Sequence, residues 1–252
     1  MTLSVVLITH NEEANLPRTL ESVMPLVRDD QGEIVVVDSG STDRTLEIAR
    51  SHGAKVFVES WKGFAAQKNS AMDKASGDWV LQLDADEALE PELTAEMAAT
   101  LRGRPSVSGY WIPRKNYFLG RWIKHGGFYP DPKLRLVRRG AGRFVEYGAH
   151  PTMNVEGITD IFSHALRHHA YPTLRGYIDH MNSYSSLGAE IAAEKAQGGF
   201  LNIVARPFLT FIYNYFLRLG FLDGREGLLL HLYHSAYVSW KYAKAWELGR
   251  KK

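Results

Sequence analysis

The stretch VLQLDADEALEP, residues 80–91, runs an apolar segment straight into Asp84, Asp86 and Glu87, with Glu90 and Glu92 close behind. Carboxylates crowded at a strand tip repel one another, and a divalent cation relieves that repulsion. A hard cation such as Mg²⁺ takes one or two carboxylates and completes its shell with phosphate oxygens and water. Asp84-Ala85-Asp86 offers two carboxylates in that arrangement, although an acidic turn leading into a helix at Pro91 would use the same residues. A second acidic tip lies in VVVDSGSTD, where Asp38 and Asp43 flank a Ser-Gly-Ser turn. An aspartate at such a tip can accept hydrogen bonds from a base or ribose. N-capping of the next helix by Asp38, Ser41 or Asp43 is the structural alternative.

These residues need a scaffold that brings strand ends together. LSVVLIT (3–9), EIVVVD (33–38), AKVFVES (54–60) and DWVLQLD (78–84) read as strands. Between and after them, residues 13–26, 41–53, 64–76 and 91–102 read as helices, the second capped by Ser41 or Thr42 and stopped at Gly53. Strands apolar on both faces that alternate with helices predict an α/β fold, a mostly parallel sheet with helices on both faces. Ligands in such folds sit beyond the carboxyl ends of the strands, where Thr9–Glu12, Asp38–Asp43 and Asp84–Glu87 converge. From about residue 105 the chain becomes rich in aromatic, glycine and basic residues. It holds two expected strands (109–113 and 133–138) around a long irregular loop, and then helices over 173–196, 206–219 and 225–248.

Of the 252 residues none is cysteine, which removes thiolate metal sites, thiol nucleophiles and disulfides. The N-terminal apolar run lacks a basic flank and reads as a first strand, not a signal peptide. Residues 1–100 carry 8 Lys+Arg against 18 Asp+Glu, a net of −10, whereas residues 101–252 carry 22 against 10, a net of +12. Two halves so different in charge face different partners. The basic residues are scattered over aromatic loops and helices without a recognition motif, so no nucleic-acid partner is expected.

The motifs VVLITHNEEANLPRTLESV, IVVVDSGSTDRTLEIA, GFAAQKNSAMDKASGDWVLQLDADE and YPDPKLRLVRR, taken in order, resemble those of inverting family 2 glycosyltransferases of the GT-A fold. The nearest subgroup is that of the lipopolysaccharide-core β-glucosyltransferases, and the likeness extends to FLDGREG and YAKAWEL near the C-terminus. The resemblance implies a nucleotide-sugar donor such as UDP-glucose, a glycolipid acceptor, and a divalent cation, Mg²⁺ or Mn²⁺. It implies that Thr9, Asn11 and Glu12 line the nucleotide pocket, that Asp38 meets the uracil or ribose, and that Lys68 reaches the donor. Asp84 would contact the ribose and Asp86 the metal. A GT-A catalytic domain over 1–170 follows, with nucleotide-sugar binding in 1–104 and acceptor binding in 105–170, ahead of a helical region at 171–252.

Inversion by single displacement needs a base for the acceptor hydroxyl. Relatives in this subgroup read Val-His-Glu where this chain has AHPTMNVEG, so Pro151 stands in place of the expected acid. Asp131, Glu146, His150 and Glu156 are the candidates, and Asp131 in the irregular loop is favoured. Arg135 and Arg138 of RLVRR are candidates for acceptor phosphate, or for a solvated strand edge. His164, His168 and His169 have a helical spacing that could pair two imidazoles, with packing or acceptor contact as the alternative to a metal.

RPFLTFIYNYFLR (206–218) and GLLLHLYHSAYVSW (227–240) are too short to span a bilayer, yet their aromatic and basic ends suit an interface. The chain is therefore expected in the cytoplasm, peripheral on the inner face of an anionic membrane. The rival expectations are a non-catalytic glycan- or membrane-binding module on a decayed fold of the same type, and a transferase for polyprenyl-linked or capsule precursors.

Overall fold

The protein is described by a computed structural model covering residues 1–28, 32–147, 150–195 and 197–250, with the side chains of Tyr147 and His150 outside the described set. In chain order the first half contains β1 (Leu3–Thr9), α1 (Leu16–Val27), β2 (Gly32–Asp38), α2 (Thr45–Ser51) and β3 (Lys55–Val58). There follow α3 (Phe64–Asp73), β4 (Trp79–Asp84), β5 (Glu87–Leu89) and α4 (Pro91–Arg102). Short strands come next: β6 (Gly109–Ile112), β7 (Arg114–Phe118), β8 (Arg121–Trp122), β9 (Lys133–Arg138), β10 (Gly142–Tyr147), β11 (His150–Val155), β12 (Thr159–Ile161) and β13 (Leu166–Tyr171). The chain closes with α5 (Leu174–Glu194), α6 (Phe200–Phe211), a π-helical stretch (Ile212–Leu217), a 3₁₀ turn (Gly220–Asp223) and α7 (Gly224–Gly249).

These elements form two compact units. The first comprises Met1–Arg114 and Pro132–His168; the second comprises Lys115–Asp131 and the chain from His169 onward. The part expected at 105–170 thus falls in both units, because nearly all of its irregular loop, Lys115–Asp131, shares an apolar core with the C-terminal helices.

The first unit is built on a sheet of strand order β12-β6-β9-β4-β1-β2-β3. Strands β1, β2, β3 and β4 are mutually parallel, whereas β9 runs antiparallel to both β4 and β6. Side chains alternate between the two faces of a strand, and the two cores follow that parity. Leu3, Val5, Leu7, Ile34, Val36, Leu81 and Leu83 pack with Leu16, Leu20 and Val23 of α1 and Leu93 and Met97 of α4. Val6, Val35, Val37 and Val80 face the opposite way, onto Ala65, Ala71 and Met72 of α3 and onto Phe144 and Met153 of the β10–β11 hairpin. Both faces are covered, as a parallel sheet of β-branched runs requires.

Register then sets the site. Thr9 lies opposite Asp38 and Ile8 opposite Asp84, so the tips of β1, β2 and β4 end side by side. Beyond β4, β5 pairs antiparallel with the start of β13, placing His168 opposite Glu87. His168 and His169 therefore sit on a strand, and the helical spacing read from the sequence does not operate. Alternation along β13 sends these neighbouring imidazoles to opposite faces.

In the second unit, α5 and α7 pack through Ala189, Ala192, Tyr242 and Ala245. A separate core joins Phe118 and Ile123 of the loop segment to Tyr177 and Leu230. Asp223, almost fully buried, accepts hydrogen bonds from the backbone N–H of Lys124 and His125 at 3.1 and 2.8 Å.

Candidate active site

The turn after β2 is held by a carboxylate with no acceptor capacity left over. Asp38 is fully buried. Its Oδ2 accepts from Thr9 Oγ1 at 2.7 Å and Ser41 Oγ at 2.5 Å; its Oδ1 accepts from the backbone N–H of Gly40 and Ser41 at 2.9 and 2.7 Å. Burial alone would raise this carboxyl, but the Ser41, Thr9 and Gly40 donors lower it below the usual aspartate range. Gly40, at φ +91°, makes the reversal that lets two successive N–H groups point back at one oxygen. Asp38, expected to meet the base or ribose, holds the turn with its carboxylate in this structure. Thr9 is likewise buried and committed to Asp38.

The loop after β1 is fastened to the same turn. Asn11 adopts φ +55°, and its Oδ1 accepts from Thr42 N at 2.8 Å while its own N–H donates to Ser41 Oγ. Glu12 N donates to Thr45 Oγ1 at 2.7 Å, and Asp43 accepts from Thr45 N and Glu13 N. Helix α2 consequently starts at Thr45 and not at Ser41 or Thr42, whose side chains bind Asp38 and Asn11 instead. Glu12 is pushed above its ordinary value by burial, opposed by the Asn15 hydrogen bond and reinforced by the charges of Asp86, Asp43 and Asp84.

Beneath the tip of β4 lies a buried ion network. Asp84 Oδ1 accepts from Lys68 Nζ at 2.6 Å, and Asp84 Oδ2 accepts from Arg135 Nη2 at 2.6 Å. Arg135 Nη2 also donates to Glu87 Oε1 at 2.6 Å, and its Nη1 donates to Gln82 Oε1. Glu87 is fully buried, takes Arg114 at 3.3 Å, and accepts the Asp84 backbone N–H at 3.1 Å. Burial would raise the Asp84 carboxyl, but Arg135 and Lys68 beside it hold it well below the usual range. Burial lowers the Lys68 ammonium, and Asp84 opposes that fall.

Arg135 is therefore the counter-ion of Asp84 and Glu87 in the middle of the sheet, not an acceptor-facing group as expected. Arg138 is also spent internally: Nε donates to Val107 O at 2.8 Å, Nη2 donates to Pro105 O, and the guanidinium lies 5.0 Å from the Trp79 ring centre. Lys68, expected to reach a donor, is held down by Asp84 and lies 5.2 Å from the Phe144 ring centre.

Asp86 faces a different partner. Its Oδ2 lies 3.2 Å from His168 Nε2, and both side chains keep partial exposure, 26% and 15%. Burial would raise Asp86, as would the Asp84 charge, yet the His168 hydrogen bond and charge lower it. A carboxylate and an imidazole presented together at an acidic tip form a mixed oxygen and nitrogen donor pair. Among the described residues no group of three or more His, Asp or Glu side chains could hold a metal alone. The donor set therefore fits an open site, one that a hard cation would complete with diphosphate oxygens and water. His168, which the sequence offered only within the cluster His164, His168 and His169, meets Asp86 through strand pairing and not through a helical spacing.

The candidate bases are dispersed. Glu146 Oε1 accepts from Ala65 N at 3.3 Å in the first turn of α3, and Glu146 stands opposite Pro151 in the hairpin register. Glu156 is exposed in the turn after β11. Asp131, in the second unit, accepts from Asn116 Nδ2 at 3.1 Å. The side chain of His150 lies outside the described residues.

The model of the family described as "Glycosyl transferase family 2" matches residues 4–162. A lipopolysaccharide core biosynthesis glycosyltransferase, LpsC of Rhizobium meliloti (strain 1021), is 31% identical over 230 residues, covering 88% of this chain and 82% of that protein. Among solved structures, the mannosyltransferase PcManGT from Pyrobaculum calidifontis, in complex with GDP-Man and Mn²⁺, superposes with a TM-score of 0.57 at 18% identity over 99% of this chain and 88% of its own. Staphylococcus aureus TarS 1-349 in complex with UDP gives 0.50 at 18% identity over 100% and 92%. At such identities these two structures speak to the fold, while the family match and the longer relative speak to descent. The chain belongs to glycosyl transferase family 2 and is a glycosyltransferase of the GT-A fold.

Proposed function

We propose that this glycosyltransferase moves a hexose, glucose by preference, from a UDP-sugar to a lipid-linked acceptor such as lipopolysaccharide inner core, with inversion and with a divalent cation, Mg²⁺ or Mn²⁺. The observation that carries the reading is the Asp86–His168 pair at the joined tips of β1, β2 and β4, with Glu12 and Asp84 adding negative charge around it. When bound, a cation there would neutralise charge on the departing nucleoside diphosphate. Asp86 and His168 would hold it. Lys68 and Arg135 keep Asp84 ionised and fixed beside it, and Glu87 fixes the backbone of Asp84 from below. Electrostatic groups fixed in this way need no reorganisation when charge develops.

The acceptor half of the reading draws on the longer relative, named for lipopolysaccharide core biosynthesis. A lipid-linked acceptor presents its sugar at a membrane surface, so the enzyme would work as a peripheral protein on the cytoplasmic face. Asp131 is the proposed base for the acceptor hydroxyl.

Calorimetric titration of UDP, GDP and dTDP, each with Mn²⁺ and with EDTA, tests the donor half. UDP binding that needs the cation is expected. Asp86→Ala should abolish turnover and the cation dependence while leaving the melting profile intact; retained turnover refutes the metal role. Asp131→Asn should lower kcat by about 10²–10⁴-fold with UDP binding unchanged if Asp131 is the base.

A further inference from the structure

Helix α6, the π-helical stretch and the 3₁₀ turn of the second unit leave an extended apolar surface in contact with solvent. Leu201, Phe208 and Leu217 are 73%, 64% and 70% exposed, and Leu209, Phe216 and Leu222 join them at about half exposure or more. Isolated exposed leucines need no explanation, but a continuous series over more than twenty residues marks a surface that something covers.

Charge identifies the occupant. Between residues 200 and 225 the charged side chains are Arg206, Arg218, Arg225 and Asp223, and Asp223 is only 2% exposed. All the exposed formal charge of this segment is therefore positive. Arg218 is set between exposed Leu217 and Leu219, with its guanidinium 5.1 Å from the Tyr213 ring centre. Arg206 donates to Tyr242 Oη at 2.5 Å at the seam between α6 and α7.

A second copy of the chain fits poorly on this face. A two-fold interface brings identical patches together, and here that would bury arginines against arginines, with Glu226, already paired with Arg121 at 3.7 Å, as the neighbouring carboxylate. An anionic headgroup layer supplies what is missing: negative charge for the arginines and an acyl boundary for the leucines and phenylalanines. The twelve residues of α6 and the six of the π-helical stretch extend about 27 Å at 1.5 Å per residue. Among the described residues no helix is long and apolar enough to cross a membrane. The segment is dimensioned to lie along a surface.

We infer that the face formed by α6, the π-helical stretch, the 3₁₀ turn and the first turn of α7 is a docking surface for an anionic lipid bilayer, with Phe208 and Leu217 entering the acyl boundary and Arg218 and Arg225 held at the headgroups. The inference gives the membrane part of the proposed function a definite surface and rests on that part alone, not on the donor site.

The test is co-sedimentation of the full chain with phosphatidylcholine vesicles prepared with and without phosphatidylglycerol. Wild type is expected to bind the phosphatidylglycerol vesicles and to release as salt rises. The double variant Phe208→Glu, Leu217→Glu is expected to lose roughly tenfold or more in partitioning. Arg218→Gln with Arg225→Gln should remove most of the preference for the anionic lipid. Wild type that ignores both vesicle types, or a double variant that binds as wild type does, overturns the inference. So does velocity sedimentation showing a wild-type dimer that the double variant dissolves, with no vesicle binding. Cation-dependent UDP binding, measured on the same samples, reports folding and separates the two readings. UDP binding without vesicle binding removes this surface and leaves the donor site; vesicle binding without UDP binding does the reverse.

Discussion

At the scale of single residues, the strand tips divide into carboxylates that hold the protein together and one, Asp86, that keeps partial exposure beside His168. Asp38 has four donors on two oxygens and is a structural pin. Asp38→Ala would leave Thr9 Oγ1, Ser41 Oγ and two backbone N–H groups without their acceptor, at a cost of about 3 kcal/mol in urea unfolding. Because its folded pKa is depressed, that contribution is present above the ordinary aspartate range and is lost as pH falls through the folded value. Arg135 makes the complementary case. Arg135→Met would leave Asp84 with Lys68 alone and buried Glu87 with Arg114 alone, and a loss of about 3 kcal/mol is expected from chemical denaturation. An acceptor-binding role would instead raise the acceptor KM with stability untouched, so the two measurements separate the alternatives. The sequence carried a readable sign of this role: KLRLVR sets Arg135 among Leu134, Leu136 and Val137, inside the strand and away from the charged ends Lys133 and Arg138, and such a residue is buried only with acids to meet it.

At the scale of elements, what could be read in advance was whatever sequence periodicity encodes. The long β-branched runs of β1, β2 and β4 and the helices α1 and α4 were legible, because burial on both faces or along one stripe leaves its mark in the local pattern. Strands β5, β8 and β12 have two or three residues, too few for a period to show, and exist through their tertiary pairing. That is why Asp84 and Asp86 were legible as a strand tip, whereas the pairing of His168 with Asp86 was not. His168 reaches Asp86 only through the pairing of β13 with β5, about eighty residues back along the chain. Helix α7 supports a separate test. His231 is 1% exposed, and both ring nitrogens lack a hydrogen-bond partner, while burial, and next to it the His234 charge, push it down from 6.5 to about 4. The unfolded chain takes the proton that the folded chain refuses. Stability is therefore full above pH 6.5 and falls as pH drops from 6.5 toward 4. On the order of 3 kcal/mol separates those limits. His231→Leu should flatten that acid limb in melts recorded at a series of pH values.

At the scale of the whole molecule, the second unit is discontinuous in sequence, and Asp223 is the clasp that makes it so. Its carboxylate binds the backbone of Lys124 and His125, about a hundred residues earlier. Asp223→Ala should raise amide hydrogen exchange across 115–131 while the amides of β1 keep their protection, read by mass spectrometry. The charge division follows the chain more than the fold. The acidic first hundred residues carry the carboxylates of the strand tips, whereas the basic remainder includes Arg135, which inserts back into the first unit's sheet on β9.

That insertion bears on how such enzymes can diversify. A donor module ending near residue 104 and an acceptor module beginning there look exchangeable on a linear map. The guanidinium that keeps Asp84 charged is encoded in the second of them, on a strand wedged between β4 and β6. A chimera joined at residue 104 would inherit its carboxylates from one parent and their counter-ion from the other. Any exchange at that point would thus have to keep Arg135 of β9 matched to Asp84 and Glu87 of the first half.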